Sequence, residues 1–83
     1  MTLLKFYADW CGPCKVLTTS FKGIEHTPIN VDGNPELCQK YGIRSIPTVI
    51  ALDDDGKEIG RFTGVKTAAA LKSWIDLLND PHG

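Results

Sequence analysis

Several things are scarce in this 83-residue sequence, and each shortage narrows what the chain can be. Charge excess is missing: nine lysines and arginines face ten aspartates and glutamates, a net charge of -1. Nucleic acids and anionic membranes attract basic excess or basic stripes, so neither is expected as a partner. No apolar run approaches the roughly 18 residues that cross a bilayer. The opening MTLLKFYADW carries neither a basic leader nor an apolar segment of signal-peptide length, and a reducing cytoplasm is the expected location. Cysteine is sparse and odd in number, three in all, which argues against the evenly paired framework of small secreted domains. Length is short too. One domain spanning residues 1–83 is expected, with every element sharing one core.

What is present is concentrated in ADWCGPCK, residues 8–15, where Cys11 and Cys14 are separated only by Gly12 and Pro13. Such a pair is a redox couple, half of a metal site or a structural staple. Its setting is a pattern of short elements. Leu3–Ala8 reads as a buried strand, and Pro13 to about Lys22 as a helix with Val16, Leu17 and Phe21 at helical spacing. Pro28–Asp32 reads as a second strand, followed by a helix over Pro35–Tyr41 that closes at Gly42. Pro47–Leu52 and Lys57–Phe62 flank the acidic turn Asp53–Gly56 and predict an antiparallel hairpin. Thr67 is placed to cap a last helix carrying Leu71, Trp74, Ile75 and Leu78 on one stripe. The order β-α-β-α-β-β-α calls for an α/β fold, a four-stranded mixed sheet with helices on both faces.

Read as a redox couple, the pair divides its roles by position. A sulfur at the N-terminal end of a helix meets unpaired N–H groups and the positive end of the macrodipole, which favour the thiolate. Cys11, expected at the exposed helix tip, is therefore the candidate nucleophile, and Cys14, one turn further in and more shielded, the resolving thiol. Gly12 admits a partner backbone, and Pro13 stiffens the turn and removes one donor. Trp10 abuts the turn and is the one tryptophan expected to be functional; Trp74 reads as core. Asp9 is either an aid to proton movement or a solvated or capping residue. Cys38 is expected to fill core like a small hydrophobe. A zinc site built on the pair and His26 lacks a second histidine three to five residues on, and His82 is remote in sequence, so no metal is expected.

WCGPCK after a strand ending in FYAD, then NVDGNPELCQKYGIRSIPTVIAL and GRFTGVK, closely resembles the thioredoxin family over nearly the whole chain. The resemblance implies a thioredoxin-like fold and a protein-disulfide reductase that needs no prosthetic group. It implies a cis Ile46–Pro47 peptide beside the cysteines, with the Ile46 backbone pairing to an extended substrate, and Gly64 flattening the third side of the groove. It also implies a monomer that reduces clients such as ribonucleotide reductase and receives electrons from a thioredoxin reductase or a glutaredoxin-like supply. Two further readings are a glutathione-coupled, glutaredoxin-like enzyme and a non-catalytic binding module of the kind that serves a phage polymerase.

Two departures stand out. The strand and helix that usually precede the active-site strand have no counterpart ahead of Leu3, as in the small thioredoxins of some archaea and phages. Where the family usually has a buried aspartate, six residues before the first cysteine, this chain has Lys5, and the lysine expected four residues before Asp32 is Pro28. Either a Lys5 ammonium close to Cys14 attracts its thiolate, or Lys5 snorkels to the sheet margin without effect.

Overall fold

The structure, a computed structural model, describes residues 1–79; His82 lies outside the described residues. Its elements follow the expected order: β1 (Thr2–Tyr7), α1 (Gly12–Ser20), β2 (Thr27–Asn30), a 3-10 turn (Val31–Gly33), α2 (Pro35–Tyr41), β3 (Thr48–Leu52), β4 (Glu58–Thr63) and α3 (Ala68–Asn79). The sheet order is β2-β1-β3-β4, with β1 and β2 parallel and the other pairs antiparallel. β1 is thus central, and β2, which carries Pro28, is an edge strand.

Period-two alternation along β1 divides its side chains between two cores. Leu4 and Phe6 join Ile29, Ile50 and Leu52 in one, against which Leu37, Cys38 and Tyr41 of α2 pack. Leu3 joins Leu17, Phe21, Val49, Ala51 and Leu71 in the other, between the sheet and helices α1 and α3. Fully burying side chains such as Phe6, Phe21 and Leu17 stabilises the fold by roughly 1.5–3 kcal/mol each.

β1, expected over Leu3–Ala8, and β4, expected over Lys57–Phe62, each shift by one residue, and β3, expected from Pro47, begins at Thr48; at two other ends a local hydrogen bond explains the difference. β2 was expected to reach Asp32 but stops at Asn30, whose side-chain oxygen accepts the Asp32 amide at 2.9 Å and starts the 3-10 turn. α1 was expected to reach Lys22 but ends at Ser20, because the Phe21 amide turns back to the Thr18 carbonyl at 3.2 Å. Gly42 closes α2 at φ +63°, a left-handed position that favours glycine. At the acidic hairpin, Asp53 Oδ1 accepts the amides of Asp55 and Lys57, both at 2.9 Å.

Candidate active site

The redox turn is built at the C-terminal end of β1, where the chain leaves the sheet at Ala8 and enters α1 at Gly12. Cys11 takes the N-cap position with extended backbone, and its Sγ accepts the Cys14 amide at 3.2 Å. Serine and threonine oxygens make the same bond at ordinary helix starts, so the sulfur occupies a hydrogen-bond acceptor's place. A thiolate there gains both the bond and the helix dipole. Cys11 and Cys14 are joined as a disulfide, with Cα atoms 5.3 Å apart. Cys11 and Cys14 are both buried with Ala8 in a small cluster, against which Tyr7, Val31 and Ile46 pack, so the exposed position expected of Cys11 is corrected. Gly12 and Pro13 form the exposed first turn of the helix, and a side chain at Gly12 would meet nothing within 4 Å, so the space beside it is open.

Behind the pair lies Lys5. It is only 4% exposed, so it does not reach the sheet margin, and the snorkelling alternative is corrected: the side chain points between the sheet and α1. Its Nζ donates to Thr18 Oγ1 at 3.0 Å, and the Thr18 hydroxyl donates to the Cys14 carbonyl at 2.9 Å. Nζ also lies 5.4 Å from the Phe21 ring centroid and 6.0 Å from that of Tyr7. Burial pushes the Lys5 ammonium below the usual lysine value of 10.5. Asp9 is exposed in the turn, and the capping position considered for it belongs to Cys11.

The walls around the turn come from three separate loops. Ile46–Pro47 is a cis peptide, as the resemblance implied, and Ile46 packs against the cysteine cluster. Gly64, at φ +83°, donates its amide to the Pro47 carbonyl at 2.9 Å, which fixes the β4–α3 loop beside the cis peptide. Trp10 is 71% exposed, and its indole Nε1 donates to Asp32 Oδ2 at 3.0 Å. Between Trp10 and Ile46 runs a shallow groove of about 400 Å³, mostly apolar, whose far wall includes Cys38, Ile43 and Arg44.

Asp32, Thr18 and Arg44 were not singled out from the sequence. Thr18 had a usable signal, since it follows Cys14 by four residues on one helix face. Asp32 is 22 residues from Trp10 and has no local signal. Cys38 packs against the α2-side core as expected, but it is half-buried and also lines the groove. Trp74 is half-buried and packs against the core between the sheet and helices α1 and α3, edge-on to Phe62. His26 lies beyond α1 in the loop before β2, its ring against Phe21. Among the described residues, no three His, Cys, Asp or Glu side chains are gathered into a metal-binding group.

Comparison with known proteins extends this picture. The family model described as Thioredoxin matches residues 1–77. A thioredoxin of Chlamydia caviae is 40% identical over 86 residues, covering 95% of this chain and 80% of the relative. One of Rickettsia felis is 38% identical, covering 89% of this chain and 77% of its own length. Among solved structures, a mutant thioredoxin from Halobacterium salinarum superposes with a TM-score of 0.86 at 33% identity, covering 95% of this chain and 74% of that one. Reduced Schistosoma mansoni thioredoxin gives 0.82 at 30% identity, over 93% and 77%.

Proposed function

Because the chain belongs to the thioredoxin family, and is therefore a protein-disulfide oxidoreductase, we propose that Cys11 is its attacking thiol and Cys14 its resolving thiol. The observation that carries this assignment is the Cys11 Sγ in the N-cap position, accepting the Cys14 amide. In the dithiol form the Cys11 thiolate attacks one sulfur of a substrate disulfide. A mixed disulfide forms and the first substrate thiolate leaves. The Cys14 thiol gives up its proton and attacks Cys11 Sγ. The Cys11–Cys14 bond closes, and the second substrate thiolate leaves. Two electrons pass to the substrate, and the two protons lost by the cysteines match the two its thiols acquire.

Trp10, Gly12, Pro13, Ile46, Pro47 and Gly64 are proposed to hold the substrate segment across the sulfurs. Support comes from the open space beside Gly12 and from the bond that fixes Gly64 against Pro47. The reading is of one domain over residues 1–83, cytoplasmic, with clients such as ribonucleotide reductase. A thioredoxin reductase or a glutaredoxin-like dithiol returns the two electrons. No helix among the described residues is long and apolar enough to cross a membrane.

Insulin-disulfide reduction tests the assignment. The reduced wild type is expected to be active and Cys11→Ser inactive, while Cys14→Ser accumulates the mixed disulfide. Activity surviving in Cys11→Ser would overturn it. Turnover with glutathione alone would favour the glutaredoxin-like reading, and partner binding that ignores both cysteines would favour the binding module.

A further inference from the structure

Lys5 is the residue on this chain whose burial is hardest to explain by packing. An ammonium taken out of water without a counter-ion is costly, and buried lysines normally have a carboxylate partner. The ion pairs of the described residues are Met1 with Asp54 and Glu58 with Arg61; neither involves Lys5. What surrounds Nζ is the Thr18 hydroxyl oxygen and the faces of Phe21 and Tyr7. Those contacts favour a cation but do not neutralise it. Tyr7 also packs against the cysteine cluster, and Thr18 donates to the Cys14 backbone carbonyl, so Lys5 and Cys14 share two neighbours.

In the disulfide state neither sulfur carries charge, and Lys5 remains uncompensated. In the dithiol state, ionisation of Cys14 creates an anion on the residue to which Lys5 is linked through Thr18. We propose that Lys5 is a positioning residue for the resolving step: its buried ammonium stabilises the Cys14 thiolate, which is in turn the charge partner that Lys5 otherwise lacks. This proposal rests on the assignment of Cys14 as resolving thiol. The proton of Cys14 leaves to solvent, because the Thr18 hydroxyl is directed to the Cys14 carbonyl and Lys5 as ammonium has no room for another proton. Stabilising the thiolate stabilises the reduced pair, which makes the protein more oxidising.

Other titratable groups on the surrounding elements do not compete for this role. Lys15 on α1, Lys22 beyond it, and Lys72 and Asp76 on α3 are exposed. On β4, Arg61 and Glu58 are paired with each other, and β3 has no titratable side chain. His26 rests on the Phe21 ring, with Nδ1 2.8 Å from the Ile24 carbonyl. Tyr7 is the remaining titratable neighbour, and its ring is already against the cysteine cluster.

The test is Lys5→Met, close in length and without charge. Thiol ionisation followed by thiolate absorbance should move up by about one pH unit. In equilibrium with glutathione, the variant should be about tenfold harder to keep reduced, a potential about 30 mV lower than wild type. That difference should vanish at pH below thiol ionisation, where no anion exists, and again above the ionisation of Lys5, where no cation does. A variant with unchanged thiol titration and unchanged potential overturns the proposal, whatever its stability. Should Lys5→Met not fold, the wild type answers by linkage, because a thiolate that feels Lys5 must raise the Lys5 ionisation by the same free energy. NMR titration of Lys5 should then give a higher value in the dithiol than in the disulfide form, and identical values overturn the proposal. Failure of the resolving assignment would show separately, as absence of the mixed disulfide in Cys14→Ser.

Discussion

Helices α1 and α3 begin in the same way and do different things. At α3 the Thr67 hydroxyl oxygen accepts the Ala70 amide at 3.1 Å, and the Thr67 carbonyl accepts the Leu71 amide at 2.9 Å. At α1 the Cys11 sulfur accepts the Cys14 amide at 3.2 Å, and the Cys11 carbonyl accepts the Lys15 amide at 3.4 Å. Each cap satisfies a donor that the helix start leaves open. A hydroxyl stays neutral in that field, whereas a thiol can answer it by ionising. Two further features separate the ends. Position N3 of α1 is a second cysteine where α3 has Ala70, and a buried ammonium lies behind α1. Reactivity here comes from an ordinary cap with one atom changed and a partner supplied.

The comparison can be broken most completely by Cys11→Ser, which turns the α1 start into the α3 kind. Because serine is a good cap, thermal unfolding should stay within about 1 kcal/mol of the reduced wild type while insulin reduction is lost. A large drop in stability would mean that the sulfur does more than cap. The next effect tests the ammonium. Burial holds Lys5 below 10.5, so between its folded and unfolded values the unfolded chain binds more protons. Stability of the disulfide form should therefore rise with pH in that window, by at most about 1.4 kcal/mol per pH unit, and level off above 10.5. Urea midpoints should show this rise in wild type and not in Lys5→Met, with the variant the more stable at neutral pH. Equal slopes would deny that Lys5 is desolvated.

Smaller still, Thr67→Ala should cost about 1 kcal/mol in chemical denaturation and leave insulin reduction unchanged, since the α3 cap only closes a donor. Finest of all is Thr67→Cys. The introduced thiol should ionise roughly half a pH unit below the usual value of about 8.5, yet add no reductase activity, because Ala70 offers no second sulfur. An unshifted thiol there would show that the field at α1 owes more to Lys5 than to the helix start.

The sequence disclosed what is local. Alternating and helical periodicities located all seven main elements, with ends off by a residue or two: Asn30 and Phe21 redirect the backbone at β2 and α1, and β1, β3 and β4 differ by one residue. The reactive pair was legible because its chemistry needs only four consecutive residues, and Thr67 because a cap sits three residues from its amide. The resemblance supplied Ile46, Pro47 and Gly64, which no spacing rule would have joined to Cys11. What remained hidden depends on contacts between distant segments. Asp32 meets Trp10 only because β2 pairs beside β1 and the turn after it folds back over the start of α1. Lys5 departs visibly from the family pattern, but its burial depends on the packing of α1 across the sheet.

Pro28 has a consequence for how the chain behaves in company. A sheet edge with free amides invites another strand to add to it, and β2 is such an edge. It is also only four residues long and interrupted by proline, two features that make a poor template for a further strand. An extended polypeptide meeting this protein is thus discouraged from joining its sheet at β2, and strand addition is left to the opposite edge, the longer and proline-free β4.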